Sequence, residues 1–377
     1  MCPGGFAVPP TDPSGYAAAS PPSSSALAAR LGLPVAAIEL VRSCDVVDLH
    51  LDALIPARLW GYDLHARHDA GLLGGRLFGH LDLPRIADIG LTGAMWSITT
   101  NPLRSSSARW RTLLDNLAHL RGEVNRTRGR LALVRDLGEY QDARRRGAHA
   151  VLVAIQGGNA LQAAPDGPAS VPDRLLTRVT LVHLTSSVYG TTSSPLALRR
   201  NAGLTAAGRV LVERLDAERV FVDLAHLGRR AFWDAVEAHD RSLPLIVTHT
   251  GVNGVRPHWR NLDDDQIRAI AATGGVVGIL FHEPFLSRKG GPDDGRMVLE
   301  HVAHVIDVAG EDAVAIGSDY DGAIVPPVEL RDGYGIPRIV AHMLAEGWSH
   351  ERIVKLLGAN FLAAFGRLRP GPAPIVH

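Results

Sequence analysis

Between about residue 36 and residue 368 the chain repeats one pattern. A short apolar run rich in β-branched residues is followed by a longer stretch with apolar positions at helical spacing. Eight such runs stand out: Asp45–His50, Ala94–Ile98, Ala150–Gln156, Val179–His183, Val220–His226, Leu245–His249, Gly275–Phe281 and Ala313–Asp319. Their continuous apolar character suits strands buried on both faces, as in a parallel sheet. Helical stretches fill most of the gaps. One follows Thr205, a suitable N-cap; another follows Asn261, with acids in its first turn and Gly274-Gly275 to stop it. Strands alternating with helices imply βαβ units, and eight of them predict a single-domain α/β fold, a (β/α)8 TIM barrel. The polar residues fall at the ends of the runs: His50 with Asp52, then Gln156, His183, His226, His249 and Asp319. In such a barrel every strand C-terminus opens on one face, so residues far apart in sequence are expected in one bowl.

Composition changes this picture only at the margins. Residues 1–35 read as a tail and lead-in, because the first 25 hold six Pro, five Ser and three Gly. Residues 36–368 read as the barrel and 369–377 as a C-terminal tail. Lys+Arg and Asp+Glu both number 39, so the chain offers no electrostatic case for nucleic acid or an anionic membrane. The run Arg144-Arg145-Arg146 is expected to close a helix, where cations suit the carbonyl end of the dipole. Two cysteines, Cys2 and Cys44, cannot build a disulfide framework and read as reduced thiols of a cytoplasmic protein. No run approaches the ~18 apolar residues of a membrane span. Neither a signal-peptide pattern nor a lipid-anchor signal is visible, so a soluble protein without a membrane anchor is the expectation.

The chemistry lies in the strand ends. His50-Leu51-Asp52 places two ligands on one side of an extended segment, and a lone His-x-Asp is weak evidence. Joined by His226 and His249 at later strand ends, it points to a divalent metal: mixed imidazole and carboxylate donors suit Zn²⁺, with Mn²⁺ or Co²⁺ as alternatives. Asp319, in Gly317-Ser318-Asp319-Tyr320-Asp321-Gly322, can handle a proton, while Asp321-Gly322 suits a turn just beyond it.

Several segments together resemble the membrane (renal) dipeptidase family, within the metal-dependent amidohydrolases. They include Asp45-Val-Val-Asp-Leu-His-Leu-Asp, Val222-Asp-Leu-Ala-His, Thr248-His249, His258-Trp-Arg-Asn-Leu-Asp, Ile316-Gly-Ser-Asp-Tyr-Asp-Gly and Gly358-Ala-Asn-Phe. The resemblance implies a zinc barrel that hydrolyses dipeptides, often with a D-residue at the C-terminal position, and suggests a homodimer. It implies that His50 and Asp52 hold one metal and that His226 and His249 hold a second. It further implies that His183 steadies the substrate carbonyl, that Arg260 holds the substrate carboxylate and that Asp319 is the acid/base.

One position departs from the family pattern. Where the family has a metal-bridging Glu before Gly-Gly, this chain has Gln156-Gly157-Gly158. An amide oxygen can serve one ion but is a poor bridge between two cations about 3.5–4 Å apart. Two Zn²⁺ would then face only two negative charges, from Asp52 and hydroxide. The expectations therefore stay open: a hydrolase with one or two ions, a barrel that binds a peptide-like molecule without turnover, or an amidohydrolase of another carboxylate-bearing amide or lactone. Loop residues His65, His68, His80, His282 and Glu283 are candidates for shaping specificity.

Overall fold

A computed structural model describes residues 21–69, 71–195, 197 and 202–371, so Cys2 and both extreme tails lie outside the described residues. Nine strands form one parallel sheet: β1 (Val47–Leu51), β2 (Gly93–Thr99), β3 (Leu131–Leu133), β4 (His149–Gln156), β5 (Leu176–Thr180), β6 (Phe221–Asp223), β7 (Ile246–Thr250), β8 (Val276–Ile279) and β9 (Val314–Ile316). The order is β1-β2-β4-β5-β6-β7-β8-β9, and β3 hangs on β4 outside this path. The path closes where Leu51 bridges Tyr320: Asp52 N donates to Tyr320 O at 2.9 Å and Asp319 N to His50 O at 3.1 Å. The eight-stranded barrel expected from the apolar runs is therefore present. β3, three residues long, has an apolar run too short to predict a strand.

Helices cover the outside. Thr205 caps Ala206–Ala217, its hydroxyl accepting from Gly208 N at 3.0 Å, and Asp263 with Gln266 forms a capping box on Asp264–Ala272. Arg144 and Arg145 end the helix Leu137–Arg145 as expected. The lead-in is not all tail: Ser24–Leu31 is helical and buries Leu27 and Ala28. The base is stoppered by the last helix, Asn360–Leu368. Its Phe361 and Phe365 lie 5.7 and 6.2 Å from Phe221, in one cluster with Val47, Leu49, Met95, Leu152 and Ile246.

Three strands carry an extra residue. Between Asp48↔Ala94 and Leu51↔Trp96, β1 advances three positions while β2 advances two. Between Val247↔Val277 and Thr250↔Ile279, β7 does the same against β8. Between Val153↔Leu176 and Ala154↔Arg178, β5 gains Thr177 against β4. Each is a bulge-like break in register, which re-aims the side chains next to it. They sit at His50, His249 and Arg178.

Candidate metal centre

His50 lies inside β1 with Asp52 just past its end, Gln156 is the last residue of β4, and His249 lies inside β7. His183, His226 and Asp319 each sit three residues beyond their strands, on the loops above. Two of these loops are held in the left-handed region, with φ of 67° at His226 and 63° at Asp319. Non-glycine residues there cost of order 1–3 kcal/mol and persist where surrounding bonds enforce them. Ser193 N bonds to His226 O at 2.7 Å, and Gly322 N to Asp319 O at 3.0 Å in the turn expected around Asp321-Gly322. Gly157, at φ 99°, turns the chain sharply after Gln156.

These residues converge. His50 Nε2 is 3.4 Å from Asp52 Oδ2 and 3.6 Å from Asp319 Oδ1; the ligand atoms of His50, His249 and Asp319 all lie within 4.8 Å of one another. His226 Nε2 faces His249 Nε2 at 2.8 Å, the His50 and His249 rings are 3.9 Å apart, and the His183 ring stands edge-on to His226 at 4.7 Å. Arg260, on the loop after β7, is buried and donates from Nη2 to His249 O at 2.8 Å. Gln156 is buried and its Oε1 has no hydrogen-bond partner. A buried acceptor left without a partner costs about 1–3 kcal/mol, so this oxygen is built to meet a cation or donor.

Burial sets the protonation states. It pushes His226 and His249 well below the usual histidine range and His183 down to about 4, so all three stand neutral and can act as donors to a metal. Burial, then the charge of Asp52, raises the Asp319 carboxyl well above the ordinary carboxylate range, against the opposing pull of Arg260. Arg260 falls to about 10 through burial and remains charged at neutral pH. The site is thus a bowl of neutral imidazoles, an amide oxygen and carboxylates, a donor set that fits a divalent cation.

Beneath the bowl lies a layer the sequence reading missed. Arg178, fully buried on β5, bonds through Nη2 to His50 Nδ1 at 2.9 Å and Ser97 Oγ at 2.7 Å, and through Nη1 to Asp223 Oδ2 at 3.1 Å and the Thr180 hydroxyl. Asp223 also accepts from Thr248 Oγ1 at 2.7 Å, and that hydroxyl meets His249 Nδ1 at 2.8 Å. The available signal was a charged residue between Thr177 and Thr180 in an otherwise apolar stretch. Of the loop histidines, His65 and His80 are buried structural groups: His65 bonds Glu123 at 2.7 Å, and His80 accepts from Asp321 N at 3.0 Å.

A parallel barrel whose C-terminal mouth gathers four histidines, an amide, carboxylates and a buried arginine defines a metallohydrolase of the dipeptidase kind. Residues 35–369 match the family described as membrane dipeptidase (Peptidase family M19), and the chain belongs to that family. Among solved structures, a metallopeptidase named dipeptidase AC superposes with a TM-score of 0.77 at 28% identity, covering 87% of this chain and 99% of that one. A metallopeptidase from Rhodobacter sphaeroides, liganded with a phosphinate mimic of the dipeptide L-Ala-D-Ala, gives 0.74 at 27% identity, covering 86% and 99%. An uncharacterized protein in the pqqA 5' region of Klebsiella pneumoniae is 40% identical over 163 residues, 42% of this chain, and the match spans 59% of that relative. No helix among the described residues is long and apolar enough to cross a membrane.

Proposed function

We propose that the chain hydrolyses dipeptides, with tolerance for a D-residue at the C-terminal position, at a zinc centre that includes His226 and His249. The observation that carries this reading is the facing pair of neutral imidazole nitrogens, His226 Nε2 and His249 Nε2 at 2.8 Å, at the mouth where the strand ending in the partnerless Gln156 oxygen also opens. A divalent ion, when bound, supplies a water that is nucleophilic at neutral pH and draws electron density from the scissile carbonyl. The rest falls to the chain itself. Arg260 binds the free carboxylate of the substrate through its planar fork and so sets the C-terminal residue in register. His183, on the loop above β5 and edge-on to His226, donates to the carbonyl oxygen as negative charge develops there. Asp319 takes the proton of the attacking water and returns it to the leaving amine. Burial and the neighbouring Asp52 raise its pKa, which favours its holding the proton between the two transfers. The D-residue preference draws on the L-Ala-D-Ala mimic held by the Rhodobacter relative.

The test is hydrolysis of an L-Xaa-L-Xaa and L-Xaa-D-Xaa dipeptide panel with added zinc or manganese, with Gln156→Glu assayed alongside. Chelator-sensitive turnover by the natural chain is the expected result, and Gln156→Glu is expected to raise kcat. Silence from the natural chain with turnover by Gln156→Glu would overturn the enzyme reading in favour of a barrel that binds peptide-like molecules. Turnover confined to lactams, lactones or N-acyl amino acids would move the substrate class and keep the chemistry.

A further inference from the structure

The two inner histidines are held in opposite hydrogen-bonding states, and the difference bears on how many ions the centre takes. The Thr248 hydroxyl spends its proton on Asp223, so it can only accept from His249 Nδ1. The proton of His249 therefore sits on Nδ1, and its Nε2, 2.8 Å from His226 Nε2, carries the lone pair that a metal would take up. This is the arrangement expected of a ligand histidine, whose second nitrogen donates to a fixed partner. His50 is the reverse. A guanidinium has only donors, so Arg178 Nη2, 2.9 Å from His50 Nδ1, makes that nitrogen the acceptor. The neutral ring then carries its proton on Nε2, facing Asp52 Oδ2 at 3.4 Å and Asp319 Oδ1 at 3.6 Å. A metal on Nε2 would need the ring to turn its proton toward Arg178, donor against donor.

Charge gives an independent argument. Asp48, Asp52, Asp223 and Asp319 cluster at and below the bowl, and Arg178 and Arg260 are the buried cations among them. A second ion would meet neither a bridging carboxylate, since Gln156 is neutral, nor a free His50.

We propose that the centre holds one divalent ion, carried by His226, His249 and the Gln156 amide oxygen, and that Arg178 keeps His50 from ligating a second. Gln156 and Arg178 then act together: one removes the negative bridge, and the other, from beneath the bowl, fixes the His50 proton on the nitrogen a second ion would need. Their strands are neighbours, with Gln156 opposite Thr180 and Ala154 opposite Arg178. The proposal rests on the metallohydrolase reading, and its test separates the two.

The full chain is equilibrated with zinc, and bound metal per chain is counted by elemental analysis and by calorimetric titration. One ion per chain is expected. Two in the natural chain would overturn this proposal and leave the metallohydrolase reading standing. None, in a chain that still melts cooperatively, would overturn both. The double variant Gln156→Glu, Arg178→Gln is expected to take two ions, and a folded double variant that still takes one would overturn the role given to Arg178. Because that variant disturbs a buried ion pair, a second comparison uses single changes in the natural chain. His249→Asn is expected to weaken zinc binding by more than about 100-fold, whereas His50→Asn should change it less than about threefold. A loss on His50→Asn as large as that on His249→Asn would place the ion on His50 and refute the assignment.

Discussion

At the scale of single residues, Asp319 and Arg260 divide the proposed work between proton transfer and binding. Asp319→Asn removes the exchangeable proton and keeps the shape, so kcat should fall by about 10²–10⁴ with little change in KM. Steady-state kinetics on the best dipeptide checks this, and a drop confined to KM would reassign Asp319 to substrate binding. Arg260→Lys keeps the charge and loses the fork. Its expected cost is about 2 kcal/mol, roughly thirtyfold in kcat/KM and chiefly through KM. The same loss on substrates with an amidated C-terminus would show that Arg260 does not read the carboxylate. The residues above the strands were legible because histidine and aspartate stood out at the ends of apolar runs. Arg178 was not, because its partners His50, Ser97 and Asp223 come from three other strands and only folding brings them together.

Elements were legible where their periodicity is uninterrupted. The run at Ala150–Gln156 matches β4 almost residue for residue, since nothing polar breaks it. The run at Val179–His183 begins late and ends late against β5, Leu176–Thr180, because Arg178 interrupts its apolar start and Leu181-Val182 prolongs its apolar end into the loop. Likewise His226 follows only a three-residue strand, β6, and reaches the bowl through a left-handed turn that an apolar pattern does not encode. Packing is tight where the chain just past the end of β9 meets β7. A Cβ on Gly317 would collide with the Thr248 carbonyl, whose residue also anchors His249. Gly317→Ala is therefore expected to destabilise the fold by about 1–3 kcal/mol, read as a lower urea midpoint at unchanged m. A midpoint within error of the natural chain would show that the sheet has slack there.

At the scale of the whole molecule, acid should loosen the barrel through histidines far from the chemistry. His149 accepts from Trp96 Nε1 at 3.1 Å and meets Leu91 O at 2.8 Å; His301 accepts from Val252 N at 2.8 Å and meets Leu286 O at 3.1 Å. Both rings are satisfied only when neutral, and burial lowers each to about 4. The unfolded chain takes up these protons near pH 6.5, before the folded chain does, so stability is lost as pH falls from about 6.5 toward 4. Each ring contributes up to about 1.4 kcal/mol per pH unit in that window. Asp48 opposes them: burial raises it to about 6, so its contribution is lost as pH rises from about 4 to 6. Thermal melts from pH 7 to 4 check the sign, and His149→Gln should flatten the slope by about one proton. An unchanged slope in that variant would mean that the ring protonates in place.

The extra residues in β1, β5 and β7 act as phase shifts in a two-beat code. Below each one, the strand alternates in step with its neighbours and answers to the hydrophobic interior; above it, the beat is reset and answers to the bowl. The lower barrel and the upper barrel are therefore written in separate frames along the same strands. Substitutions in the lower frame can drift under packing alone while the upper frame keeps its aim. Losing one residue at a bulge would do what no substitution does: it would turn His50 or His249 away from the bowl, or Arg178 away from the layer beneath it, with that side chain itself unchanged.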